Sequence, residues 1–316
     1  MGYPRRWDVR PPAGAVSPGR DICGVASNRS QVYASPSPVT LSVLEDIRLT
    51  QLTTFLRYPG SKRRMLTFLA DHLPSAKAIA GRFIEPFVGG GAIYFHLRPK
   101  RAILADINPE LIELYRGISA NPDRVWRIYR SYPRGKAAYK RVRAVSVDRL
   151  SLPQRAARSL YLNRTCFKGM WRHNLAGRFN VGYGGESRRR ALTRTSLFAI
   201  SDLLASARFR CCDFEPTVEL AGSSDYLFLD PPYRPGAKEQ TTEHYAGRQF
   251  TFKDHVRLAA VLRAANKRNV RWSMTISGHP AIRKLYTGFS MTSIPNGTGQ
   301  QIGILAKSPG EILIAN

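Results

Sequence analysis

Ile84-Glu85-Pro86-Phe87-Val88-Gly89-Gly90-Gly91-Ala92 carries an apolar strand end into a glycine-rich turn and on into an apolar helix over 92–97. Glycines there let the backbone approach a ligand closely and aim the amides of the helix start at it, although plain turn chemistry explains three glycines equally well. The next apolar run, 102–105, ends in Asp106, and an acid at the tip of the second strand is where doubly wound sheets hold a ribose diol. Working outward from Phe55, short apolar runs alternate with amphipathic segments, and candidate strands fall over 82–86, 208–212, 226–229, 270–276 and 311–314. That rhythm predicts an α/β fold with a parallel sheet.

Between 107 and 207 the strand rhythm stops. Helices are expected over 122–132, 137–147 and 153–162, followed by a stretch over 163–180 that reads as a basic, aromatic hairpin. The predicted division is therefore a catalytic α/β domain over 51–115 and 208–316, interrupted by a mostly helical inserted module over 116–207. Residues 1–50, rich in Pro, Ser, Gly and Arg without a sustained period, read as a disordered extension.

The 316 residues carry 49 Lys and Arg against 22 Asp and Glu, a formal charge of +27. Such an excess points to a polyanionic partner, nucleic acid first, with nucleoid, ribosomal or membrane-surface roles as the other classes. The sequence has no apolar run of membrane-spanning length, and its Arg-containing start has no secretory apolar core. Cys23, Cys166, Cys211 and Cys212 show no metal-ligand spacing, so a reduced cytoplasmic setting without a metal is expected.

The glycine turn lacks G-x-G-x-x-G and begins with an acid, as Glu85-x-Phe87-x-Gly89-x-Gly91. This pattern suits a nucleoside cofactor without a pyrophosphate but with a cationic amino-acid end, such as S-adenosylmethionine. Upstream, Tyr58-Pro59-Gly60-Ser61-Lys62 is a tight turn whose Lys62 is available to a cofactor carboxylate, or else is solvated.

The most specific signal is Asp230-Pro231-Pro232-Tyr233, placed directly after the apolar run 226–229. Two successive prolines make a rigid, donor-free turn, so a carboxylate and a main-chain carbonyl can both accept from one amino group. The amino group of adenine is a weak nucleophile, and two acceptors at N6 favour its rehybridisation as a methyl group arrives. Tyr233 offers a flat face to a base lifted out of its stack.

In this order, the motifs resemble the Dam-like DNA adenine-N6 methyltransferases over about residues 55–315. The likeness rests on Tyr58 to Lys62, Glu85 to Gly91, Ala105-Asp106-Ile107-Asn108, the insert with Asn163-Arg164, Gly169, Arg172, Asn174, Gly177 and Phe179-Asn180, and the tetrapeptide Asp230 to Tyr233. It implies a Rossmann-like S-adenosylmethionine-dependent sheet with an inserted target-recognition module. It also implies that Tyr58, Gly60, Lys62, Glu85, Phe87, Gly89, Gly91, Asp106, Asp213 and Phe214 hold the cofactor, with Asp213 and Phe214 at its adenine end. Asp230, Pro231, Pro232 and Tyr233 would hold a flipped adenine. Arg164, Lys168, Arg172, Asn174 and Arg178 would contact duplex DNA, since Arg reads guanine and Asn reads adenine. Lys168 and Gly182 depart from the family pattern inside the insert, so a GATC target does not follow. A cognate restriction endonuclease is a possible partner, and the oligomeric state is open. The alternatives are methyl transfer to rRNA adenine, cytosine N4 or protein glutamine, and an inactive DNA-binding descendant.

Overall fold

The computed structural model describes residues 55–58, 60–174, 177–233, 250–295 and 310–316; the extension expected over 1–50 lies outside them. Among the described residues seven strands form one sheet: β1 Phe83–Glu85, β2 Ala102–Asp106, β3 Ala207–Cys211, β4 Tyr226–Leu229, β5 Arg271–Ser277, β6 Ser290–Ser293 and β7 Glu311–Ala315. Their order is β3-β2-β1-β4-β5-β7-β6. The first five pair in parallel, and β7 runs antiparallel between β5 and β6. The chain has the expected Rossmann-like, mostly parallel α/β architecture.

Helices cover both faces: α1 Ala92–Leu97, α2 Pro109–Ala120, α3 Pro122–Ser131, α4 Lys136–Ala144, α5 Leu152–Thr165, α6 Arg194–Leu204, α7 Phe252–Lys267 and α8 Pro280–Leu285. Because side chains alternate along a strand, β1, β2, β4 and β7 each feed two cores. Phe83, Leu104, Phe228 and Leu313 pack with Leu111, Leu160 and Leu197 of the long helical stretch. Their neighbours Ile84, Ile103, Leu227 and Ile314 pack with Leu258 and Leu262 of α7 and Ile282 of α8. Full burial of each such side chain stabilises by about 1.5–3 kcal/mol. The helical stretch thus shares one apolar core with a face of the sheet. The boundary expected at 116 falls inside α2, and the one at 207 falls on the first residue of β3.

Local chemistry fixes the helix starts. Asn108 accepts from the amides of Glu110 and Leu111 while Pro109 takes the first position of α2. Thr251 and Asp254 cap α7 reciprocally, the carboxylate accepting from the Thr251 amide at 2.8 Å. Four of these elements, β6, α2, α6 and α8, were not expected. Strand β6 is polar and partly exposed, and neither α2 nor α6 stands out against the apolar residues around it. After α5 the chain makes the expected hairpin, with antiparallel bridges Cys166–Tyr183 and His173–Phe179.

Candidate active site and cofactor cleft

The strand order reverses between β1 and β4, and Glu85 and Asp230 stand at the carboxyl ends of these two neighbours. Crevices at such a switch point are where open α/β sheets bind ligands. The glycine turn follows Glu85 and is clamped from two sides. The Gly89 amide donates to Asp106 Oδ2 at 3.1 Å, and the Tyr115 hydroxyl donates to the Gly89 carbonyl at 2.8 Å. Gly89 and Gly91 have φ of +45° and +66°, and a Cβ on Gly89 would sit 3.0 Å from the Tyr58 ring. Glycine is required here by conformation and by that close approach. Tyr58 therefore lies across the turn, and the expected tight turn at Tyr58 closes with the Ser61 amide on the Tyr58 carbonyl at 3.2 Å. Gly60 has φ +75°; Pro59 lies outside the described residues.

Three carboxyl groups converge on the cleft. Glu85 is 2% exposed and its Oε2 has no hydrogen-bond partner. Burial, with the charges of Asp230 and Asp106 adding to it, holds its carboxyl well above the usual carboxylate range. Burial also lifts Asp106 to about 6, against the hydrogen bonds it accepts from the amides of Asn108 and Gly89. Asp230 is raised by burial too, and is offset by Lys62 and Thr275. Lys62 Nζ lies 2.7 Å from Asp230 Oδ1, and the Thr275 hydroxyl donates to the same oxygen at 2.9 Å.

Lys62 is thus buried and not solvated. Its side chain is 3% exposed, and it meets the Asp230 carboxylate and the Gly60 carbonyl at 2.9 Å, with the Tyr233 ring centroid 4.8 Å away. Tyr233 packs against the second core, and burial keeps its hydroxyl protonated, with the charges of Asp230 and Glu311 adding to the effect. Sequence reading did not find Thr275 on β5 or Glu311, 2% exposed at the start of β7, because strand pairing alone brings them to the tetrapeptide.

On the other side of the glycine turn Phe87 and Phe214 pack at 5.5 Å between ring centroids, joined by Phe250 at 5.8 Å from Phe87. This apolar wall suits a flat heterocycle. The Asp213 carboxylate beside it is gripped by Arg257 at 2.9 Å through each oxygen, and Arg257 also reaches Glu215 and Asp254. Asp213 therefore fixes the start of the following helical turn and the guanidinium over Phe214.

The residues expected to contact DNA separate into two groups. Arg164 is buried and donates to the carbonyls of Phe55 and Arg188, so it is a structural arginine and leaves the DNA-reading set. Its neighbour Asn163 binds both the amide and the carbonyl of Arg57, at 2.9 and 2.7 Å. Together they tie the segment leading into Tyr58 and Lys62 to the end of α5. Lys168, Asn174 and Arg178 are exposed on the hairpin. Asn174 also shapes its turn, accepting from the Arg178 amide at 2.9 Å, and Arg172 is half-buried against Asn180. In the run Arg188-Arg189-Arg190, Arg189 is buried over the Tyr161 ring.

The chain matches the profile of the D12 class N6 adenine-specific DNA methyltransferases over residues 58–298. It is 31% identical over 251 residues to the type II methyltransferase M1.LlaDCHI of Lactococcus lactis subsp. cremoris, covering 77% of this chain and 87% of that one. To the DNA adenine methylase of Haemophilus influenzae it is 32% identical over 241 residues, 74% of this chain and 82% of the relative. It is also 34% identical over 244 residues to the DNA N-6-adenine-methyltransferase of Escherichia phage P1, spanning 74% of this chain but only 31% of that longer protein. No helix among the described residues is long and apolar enough to cross a membrane. With a profile match spanning the glycine turn, the helical insert and Asp230 to Tyr233, the chain belongs to the D12 class of N6 adenine-specific DNA methyltransferases.

Proposed function

We propose that the protein transfers a methyl group from S-adenosylmethionine to N6 of an adenine lifted out of duplex DNA. One observation carries the reading: the unpartnered, buried Glu85 Oε2 stands beside Asp230 at the switch point of the sheet. A cleft in which the buried Glu85 and Asp106 meet the partly buried Asp230 favours a cation, and a buried acceptor without a donor lacks a partner that a ligand can supply. The cofactor would supply an electrophilic methyl group carried on a positively charged sulfur.

The protein's residues do the rest by position. The glycine turn and Tyr58 admit the cofactor's backbone-facing side, Glu85 accepts from its amino-acid end, Asp106 accepts from a ribose hydroxyl, and Phe87 and Phe214 flank its base. Asp230 and the Pro231 carbonyl accept from the adenine N6, while Tyr233 stacks on the base and Pro232 stiffens the turn. No strong base is needed, because the proton on N6 becomes acidic only as the new bond forms. Lys168, Arg172, Asn174 and Arg178 on the hairpin approach the duplex, in the module expected over 116–207. Type II names among the relatives fit a restriction–modification role in the cytoplasm beside a cognate endonuclease.

The test is modification-aware sequencing of DNA from cells expressing the wild-type chain beside Asp230→Ala. N6-methyladenine at one short motif with wild type alone is the expected result. Methylated cytosine, or methyl transfer to RNA or protein in place of DNA, would overturn it.

A further inference from the structure

The hairpin stretch that carries Arg172 and Asn174 has a second, inward face. Side chains alternate along extended chain. Arg172 is half-buried and Asn174 exposed, whereas Trp171 and His173 are 4% and 8% exposed. Trp171 holds its ring centroid 6.1 Å from that of Tyr58, the residue lying across Gly89. His173 Nε2 donates to Glu110 Oε2 at 3.1 Å, since an ionised carboxylate only accepts. With Nδ1 buried and unpartnered among the described residues, that bond is the ring's one polar tie. Glu110 opens α2, its amide held by Asn108 at 3.1 Å and its other carboxylate oxygen 3.5 Å from Arg158.

Both inward contacts lead to one carboxylate. Asp106 Oδ2 accepts from the amide of Gly89, against which Tyr58 lies, and Oδ1 accepts from the amide of Asn108, which caps Glu110. We propose, on the reading of the site given above, that the inward face of the hairpin couples reading of the target sequence to the cofactor's hold on Asp106, through Trp171 on Tyr58 and His173 on Glu110.

His173 is thus a positioning residue. A duplex whose base edges fit Arg172 and Asn174 fixes the hairpin, and with it Tyr58 and the start of α2. The cofactor then meets a glycine turn and an Asp106 that are already ordered and loses less freedom on binding, so the two ligands cooperate without a new contact between them. Linkage makes the effect reciprocal. A duplex held through phosphates alone orients the protein without testing base edges, and fixes the hairpin less.

Calorimetry measures binding of the cationic amine analogue sinefungin without DNA, with a duplex bearing the motif found by sequencing, and with the same duplex changed at one base pair. In wild type the motif duplex should tighten sinefungin by about tenfold and the altered duplex by less than about twofold. His173→Phe keeps an aromatic ring beside Phe179 but has no donor for Glu110. It should bind sinefungin alone as wild type does, while the tightening by the motif duplex falls to within about twofold. His173→Gln, whose side-chain amide can donate from the place of Nε2, should recover most of the effect. A merely structural role would lower the urea unfolding midpoint and leave the coupling intact. Glu110→Ala, which removes the acceptor, serves if His173→Phe fails to fold. No tightening in wild type, equal tightening by the two duplexes, or full coupling in a folded His173→Phe would overturn the proposal. A wild-type chain that methylates no DNA would instead overturn the function on which it rests.

Discussion

The tetrapeptide at the end of β4 is legible without a structure because its chemistry is local: acid, two prolines and an aromatic in succession. What supports it is not local. Thr275 lies 45 residues away in the sequence and reaches Asp230 only because β4 and β5 are paired. A hydrogen bond to an ionised carboxylate is worth about 1.5–3 kcal/mol, so Thr275→Val should lower single-turnover methylation by about 10–100-fold. Thr275→Ser should restore most of it, and DNA affinity should move little. Asp106 gives a pH dependence whose sign is fixed by its lifted pKa of about 6. Between its ordinary value of 3.8 and about 6 the folded form holds more proton than the unfolded chain, so this group's contribution to stability falls as pH rises through that window and is level above it. Cofactor binding runs the other way, since a ribose hydroxyl needs the ionised acceptor. Calorimetric titration with sinefungin should show affinity dropping below about pH 6, and Asp106→Asn should flatten that dependence; an unchanged profile in the variant would remove Asp106 from the ribose site.

At the level of elements, the continuous apolar run Tyr226–Leu229 marks β4 plainly, since a strand covered on both faces needs no alternation, whereas β5 alternates Trp272, Met274 and Ile276 with Ser and Thr. Strand β6 carries Ser, Met, Thr and Ser on a partly exposed edge and offers no such signal. The hairpin after α5 is legible as basic and aromatic, yet its arginines cannot be sorted by sequence, because burial decides their role. Asn163 and Arg164 belong to the interior, and Lys168 and Arg178 to the surface. Two opposite outcomes follow. Asn163→Ala strands the amide and carbonyl of Arg57, costs about 2–3 kcal/mol in urea unfolding, and loosens the segment that carries Tyr58 and Lys62, so sinefungin affinity should fall as well. Lys168→Ala and Arg178→Ala should leave unfolding unchanged and each reduce the slope of log affinity for DNA against log salt by about 1. A stability loss in the second pair with no change in slope would place them inside the fold instead of against phosphate.

The whole molecule combines two opposed electrostatic characters. Its formal charge is +27, whereas its cleft is lined by Glu85, Asp106, Asp230 and Glu311, all acidic and mostly buried. The first property is visible in composition and the second is not, since nothing in residue counts shows that four of 22 acids converge. The two characters divide the binding problem by range. Exposed lysines and arginines act on a polyanion through solvent and are screened by salt, while the buried carboxyl groups act on a cation within a few ångströms and are screened far less. Raising salt from 50 to 200 mM should therefore weaken duplex binding by about 10³–10⁵-fold if six to ten phosphates are contacted. Over the same range sinefungin affinity should change by less than about threefold, because its partners lie inside the protein. Parallel titrations at the two salt concentrations separate the cases. If sinefungin binding weakened as steeply as DNA binding, the cofactor charge would be read by solvent-exposed groups, and the buried acids of the switch point would lose their assigned part in holding it.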